Sequence, residues 1–97
     1  MDFKVNAVHF TADQKLIDFI REKVSKLELM NDSIISSEVF LRLDKNDEKE
    51  NKIAEVKILV PGHELFAKKQ CKSFEEAADL AVTALKKQVE KHKSKRA

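Results

Sequence analysis

The single proline and the single glycine of this chain stand side by side, and they limit how it can fold. Pro61 and Gly62 occupy the two central positions of a predicted type II turn, which needs a fixed negative φ followed by a positive φ. Elsewhere the 97 residues contain no strong breaker of helices or strands, which indicates mostly regular structure rather than a loop-rich chain. Because 42% of the residues are hydrophobic and the length leaves no room for a second domain, we expect one compact domain.

Four segments alternate apolar and polar residues, the pattern of strands that are buried on one side. They lie at about 2–10, 34–44, 54–60 and 65–72. The all-polar stretch 45–52 separates the second segment from the third and indicates a hairpin with a polar tip. The turn at 61–62 then folds the fourth strand back on the third.

Two further segments repeat apolar residues at steps of three and four, as helices with one buried stripe do. Each follows a capping-box sequence, in which a hydroxyl side chain and a Gln or Glu three residues later satisfy backbone donors. Thr11 is the predicted cap of a first helix over about 12–29, and Ser73 is the predicted cap of a second helix over about 74–92.

The element order is therefore β-α-β-β-β-α, an α+β fold. Each helix has one apolar stripe, and the four strands have one apolar face. All of these apolar surfaces are buried if both helices pack on the same side of a single four-stranded sheet. The β-α-β crossover should pair the first two strands in parallel, and the hairpins make the later pairs antiparallel, so the sheet is mixed. We assign residues 1–92 to this single domain and residues 93–97 to a basic C-terminal tail.

Positive charge is concentrated at the C-terminal end. The formal net charge is only +2, but residues 86–97 hold six lysines and arginines against Glu90 alone, while the preceding residues are net acidic. Clustered cations of this kind neutralise phosphates and release counterions, which favours a polyanionic partner. A solvated helix end, where cations complement the helix dipole, explains the same cluster. Charge alone leaves both interpretations open.

The residue types that carry catalysis or bind metals are sparse. Cys71 is the only cysteine, which excludes an intramolecular disulfide and a cysteine-based zinc cluster, and its strand position predicts a buried structural thiol. The histidines His9, His63 and His92 lack the spacing of a helical metal site. We therefore expect no catalytic residues, no metal and no cofactor. A small enzyme that uses Cys71 and a histidine is the weaker alternative.

Neither a membrane span nor a secretory signal is predicted. No apolar run approaches the ~20 residues that a span needs, and the first residues lack the basic start and long apolar stretch of a signal. A lone cysteine suits a reducing compartment. We expect a cytoplasmic protein without a membrane partner.

Lysines of the second predicted helix are the leading candidates for nucleic-acid contacts. On a helical projection, Lys86, Lys87, Lys91 and Lys93 avoid the apolar stripe and reach solvent or the flanks of the stripe. The chain has no Tyr or Trp, and its six Phe fit mostly in the core, so recognition of folded RNA through backbone and shape is favoured over stacking on bases. A protein-interaction module that docks through a sheet edge or a helix is the competing hypothesis.

Three groups of residues, taken in order, carry a resemblance to a known family. They are Asp18-Phe19 with Glu22-Lys23 and Lys26-Leu27-Glu28; Val60-Pro61-Gly62 with Leu65-Phe66-Ala67; and Ala78-Asp79 with Leu85, Gln88-Val89 and Lys91-His92-Lys93. Together they resemble the ribosome hibernation promoting factor family, which includes the ribosome-associated inhibitor and the sigma-54 modulation proteins. The resemblance covers essentially the whole chain.

The resemblance implies a fold similar to double-stranded-RNA-binding domains. It also implies docking on the small ribosomal subunit and its rRNA, in the channel otherwise used by mRNA and tRNA, so that translation is repressed by occupancy in stationary phase or stress. The dimerisation domain of the long members is absent from these residues, so the chain resembles the short form, which acts with or without a separate ribosome-dimerising factor and without a small-molecule substrate. The residues that match basic family positions are Lys23, Lys26, Lys87, Lys91 and Lys93; Lys86 is added from the helical projection.

Overall fold

The computed structural model describes residues 2–45 and 50–95, and side chains as far as Lys91. It contains six elements in the predicted order, so the α+β, β-α-β-β-β-α prediction is confirmed. Their bounds are β1 Asp2–Ala7, α1 Gln14–Met30, β2 Ser36–Leu43, β3 Lys52–Val60, β4 His63–Cys71 and α2 Phe74–Lys95.

The four strands form one mixed sheet in the order β1-β2-β3-β4. The pair β1/β2 is parallel, and the pairs β2/β3 and β3/β4 are antiparallel, as the connections predict. Gly62 has a φ of 78°, which is the positive φ that the type II turn between β3 and β4 requires.

Both helices cover the same face of the sheet, and one core lies between the two layers. The helices contribute Ile20, Val24 and Leu27 from α1 and Leu85 and Val89 from α2, all fully buried. The sheet contributes the alternate residues of its inner face, namely Val39, Leu41, Ala54, Val56, Ile58 and Val60, also fully buried. Each large aliphatic side chain removed from water in this way stabilises the fold by about 1.5–3 kcal/mol.

The start of α1 differs from the prediction. The N-cap is Asp13 rather than Thr11, because an Asp13 carboxylate oxygen accepts a hydrogen bond from the Leu16 backbone N–H at 2.8 Å. β1 ends early, at Ala7, because His9 adopts a left-handed φ of 64° that turns the chain out of the sheet. An aspartate cap also places a negative charge at the positive end of the helix dipole, which a threonine would not.

The start of α2 agrees with the prediction, and its end does not. The Ser73 hydroxyl accepts a hydrogen bond from the Glu76 backbone N–H at 3.1 Å, as an N-cap does. The helix continues to Lys95, three residues beyond the predicted end, and residues 96–97 lie outside the described part of the chain. The division into a domain at 1–92 and a tail at 93–97 stays a prediction.

Replacing Leu27 with Ala should lower the free energy of unfolding by about 2–5 kcal/mol, because the lost side chain leaves a cavity in the core. Leu29 is the matched control: it lies in the same helix and is 88% exposed. Leu29→Ala should change the free energy of unfolding by no more than about 0.5 kcal/mol. Urea denaturation measures both, and equal losses would contradict the assignment of the buried stripe of α1.

Candidate nucleic-acid interface

The candidate interface is the side of the two helices that faces away from the sheet, which we call the helical face. Its position follows from the core, because residues that point toward the sheet leave the opposite side of each helix to solvent. The structure packs the two helices against each other, so the candidate lysines lie on adjoining elements. All six predicted site residues lie on the two helices, with Lys23 and Lys26 on α1 and Lys86, Lys87, Lys91 and Lys93 on α2.

The two lysines of α1 differ in their surroundings. Lys26 is exposed, whereas the side chain of Lys23 is only 29% exposed and turns toward α2. The Lys23 Nζ lies 3.5 Å from an Asp79 carboxylate oxygen and 5.4 Å from the centre of the Phe19 ring. A partly exposed ion pair of this kind contributes at most about 1 kcal/mol. Lys23 therefore links the helices, and part of its charge is already balanced.

The lysines of α2 are more open. Lys87 and Lys91 are exposed, and Lys86 is half-buried. Lys87 and Lys91 are one turn apart on the same side, where like charges destabilise a helix by about 0.2–0.5 kcal/mol. The repulsion between these two lysines therefore does not stabilise α2. Lys93 belongs to the same helix, but its side chain lies outside the described residues.

A side chain of α2 also fixes the helix against the edge of the sheet. The Gln88 Nε2 donates a hydrogen bond to the Phe66 backbone carbonyl of β4 at 2.9 Å. Gln88 lies between Lys87 and Lys91 in sequence, and together with Glu90 these residues line a shallow concavity. The bond holds this segment of α2 at a fixed height over β4. Sequence patterns show Gln88 near the apolar stripe but cannot show the carbonyl that it reaches.

The phenylalanines divide between the two sides of the sheet. Four of them pack against the core as expected, and Phe10 stacks on Phe74 with ring centres 5.0 Å apart. Phe66 is the clear exception, because it is 45% exposed on the side of the sheet that the helices leave uncovered. Phe40 lies on that side too and is half-buried. The four core members are Phe3, Phe10, Phe19 and Phe74.

Cys71 is buried, as predicted, and is 7% exposed. Burial raises the pKa of the Cys71 thiol above its ordinary value, and the negative charges of Glu76 and Glu50 act in the same direction. A raised pKa lowers the fraction of reactive thiolate at neutral pH. The described residues hold no group of three or more His, Cys, Asp or Glu side chains placed to bind a metal ion. Their helices include none with the length and apolar character that crossing a membrane requires.

Labelling of Cys71 by a thiol reagent at pH 7–8 should be slow in the folded protein and at least 10-fold faster after unfolding in urea. Two causes act together, since burial blocks access and the raised pKa removes thiolate. Stopped-flow or absorbance measurement of the released reporter checks this. A folded-state rate equal to the unfolded rate would show an accessible, activated thiol.

The fold and the candidate site define a small two-layer α+β domain whose helices expose lysines, interspersed with acids, to solvent. The chain belongs to the family described as sigma 54 modulation protein / S30EA ribosomal protein, whose model matches residues 3–97. The resemblance noted in the sequence is thereby confirmed.

Individual relatives agree with this assignment. A ribosome hibernation promoting factor of Pseudomonas putida is 27% identical over 95 residues, which cover 98% of this chain and 89% of the relative. Two solved structures share the fold. A ribosomal subunit interface protein of Coxiella burnetii superposes with a TM-score of 0.86 at 18% identity, covering 97% of this chain and 99% of that one. The N-terminal domain of Thermus thermophilus Protein Y gives a TM-score of 0.82 at 22% identity, covering 95% and 99%.

Proposed function

We propose that this chain binds the small ribosomal subunit through its helical face, in the channel that mRNA and tRNA use, and represses translation in stationary phase or stress. Membership of the family supports the proposal, as do the names of the relatives, one a ribosome hibernation promoting factor and another a ribosomal subunit interface protein. The observation that carries it is the exposed pair Lys87 and Lys91 on the outer side of α2.

The mechanism is occupancy rather than chemistry. Lysine ammonium groups contact the phosphates of rRNA and release counterions, which supplies affinity but carries no sequence information. Specificity then comes from the fit of a rigid body to the shape of folded RNA. The 22-residue helix α2 is about 33 Å long, long enough to lie along several phosphates of an RNA backbone. A protein bound in this channel excludes mRNA and tRNA without consuming a substrate.

The lysines should contribute unequally. Lys87, Lys91 and Lys26 are exposed and supply most of the binding energy in this proposal. Lys86 is half-buried, and Lys23 must either leave Asp79 or carry that carboxylate toward the RNA. Lys93 is retained in the proposed surface on the strength of its position in the sequence.

The partners follow from the same reasoning. The small subunit and its rRNA are the primary partners, which places the protein in the cytoplasm. Pairing of ribosomes, where it occurs, is the work of a separate dimerising factor in this proposal. No cofactor, metal or small-molecule substrate enters the mechanism.

Reversing the charge of the exposed pair, with Lys87→Glu and Lys91→Glu, should abolish co-sedimentation with small subunits at near-physiological salt. Each lost phosphate contact should also reduce the slope of log affinity against log salt by about 1. Adding Lys93→Glu should deepen the loss. Folding should persist because both described side chains point to solvent, and circular dichroism verifies this.

A matched control makes the same change of net charge elsewhere. Lys4 and Lys72 are exposed and lie off the helical face, so Lys4→Glu with Lys72→Glu should leave co-sedimentation within a factor of about 3 of wild type. Co-sedimentation that survives the triple reversal, or that falls equally in the control, would sink the assignment of the helical face.

A further inference from the structure

The side of the sheet opposite the helices, which we call the open face, carries an ordered set of side chains. Cross-strand pairing places Phe66 opposite Lys57, and Lys57 opposite Glu38. The neighbouring row places Lys68 opposite Glu55, and Glu55 opposite Phe40. These residues alternate with the buried positions of the same strands, so they share one surface.

Two aromatic rings lie on the open face. Phe66 is 45% exposed at the edge strand β4, which is high for a ring of this size. Phe40 is half-buried beneath Lys57, whose Nζ lies 5.9 Å from the centre of the ring. Aromatic rings exposed on a four-stranded sheet provide flat surfaces on which unpaired bases stack. The sequence, with no Tyr or Trp, does not reveal this surface because alternation alone does not say which side of β4 is covered.

The acidic and the basic side chains at the centre of the open face differ in the partners that they have. Glu38 accepts a hydrogen bond from the Asn6 Nδ2 at 3.0 Å, and Glu55 pairs with the Arg42 guanidinium at 3.2 Å. Within residues 2–45 and 50–91, no carboxylate lies at ion-pair distance from Lys57 or Lys68. Both acids have another partner, whereas Lys57 and Lys68 have no ion pair among the described residues, so these two lysines can contact an anion beside Phe66.

A concavity of about 490 Å³ continues the open face beyond Lys68. This volume lies within the ~300–1,000 Å³ typical of small-ligand clefts. Its lining includes Val8, Arg42, Lys45 and Lys68, together with the carboxylate of Asp44, so cations outnumber acids beside an apolar wall. The Arg42 Nε is buried and finds no hydrogen-bond acceptor among the described residues, although buried donors are normally paired.

We infer that the open face binds single-stranded RNA, with a base stacked on Phe66, phosphates beside Lys57 and Lys68, and a neighbouring nucleotide in the concavity at Arg42. A ring flanked by cations matches a nucleotide, which joins a flat base to an anionic phosphate. A peptide partner would have no use for both features together. This site lies on the opposite side of the domain from the helical face, so it is independent of the proposed ribosome contact.

Fluorescence anisotropy with labelled eight-nucleotide oligo(A) and oligo(U), and with a hairpin duplex, tests the inference on the whole chain. Phe66→Ala should weaken binding of the single strands about 5- to 100-fold, the loss expected for one stacked base. Phe66→Leu keeps an apolar side chain but should also weaken binding. The bond from Gln88 is made to the Phe66 backbone, so both substitutions leave it in place.

The matched control is Leu80→Ala on α2, where the leucine is 43% exposed and lies away from the open face. It should leave oligonucleotide binding unchanged. Lys57→Gln with Lys68→Gln should weaken binding and flatten its salt dependence by about two units of slope. Lys87→Gln with Lys91→Gln should have little effect on the single strands, whatever it does to ribosome binding.

Three results would overturn the inference. The first is equal binding of oligonucleotides by wild type and Phe66→Ala. The second is loss of binding through the Lys87 and Lys91 substitutions alone, which would move the single strand to the helical face. The third is an absence of binding together with self-association that Phe66→Ala removes in analytical ultracentrifugation, which would make the open face a contact between copies.

Discussion

The packing of α2 on the sheet is the interaction on which the other features depend. The first half of its buried stripe consists of small residues, Ala77, Ala78 and Ala81, which let the helix approach the strands closely, and the second half is filled by Leu85 and Val89. This arrangement sets which side of α2 faces solvent, and so where Lys87 and Lys91 project. It also brings α2 against α1 and against β4, so that one helix positions both candidate surfaces.

Periodicity in the sequence was sufficient for the architecture. A spacing of two residues in strands, and of three or four in helices, shows which side chains share a face. In a chain of this size one arrangement, two helices on one side of the sheet, buries all the apolar faces. Finer features depend on competition between neighbours. Thr11 and Asp13 are both able to cap α1, and the Asp13 carboxylate is the one that accepts the hydrogen bond from the Leu16 backbone N–H.

The candidate sites depend on distances between residues of different elements. A helical or strand projection treats one element at a time and does not give these distances. A helical wheel places Lys23 on the surface of α1, but the Asp79 that partly balances it belongs to α2. The same limit applies to Phe66. Its neighbour Ala67 is buried, so alternation predicts that Phe66 faces the other way, yet an apolar side chain is assigned to the core unless the uncovered side is known. The positive charge that a surface offers to a ligand therefore has to be judged from the folded structure rather than from the number of lysines in the sequence.

In a domain of one sheet and one helical layer, one face of the sheet is uncovered. The side chains on that face determine whether it only contacts water or also binds a ligand. In a solvated face every cation is expected to sit across from an available acid, because cross-strand pairs of opposite charge are mildly stabilising. Here Lys57 and Lys68 do lie across from Glu38 and Glu55, but a hydrogen bond from Asn6 and an ion pair with Arg42 already engage these acids, and the lysines lie beside aromatic side chains. Burying Phe66 under a base would recover hydrophobic free energy that the isolated chain forgoes. The helical face has lysines but no exposed ring among its described side chains, and it suits the backbone of folded RNA. The open face thus suits single-stranded RNA, and the helical face suits folded RNA.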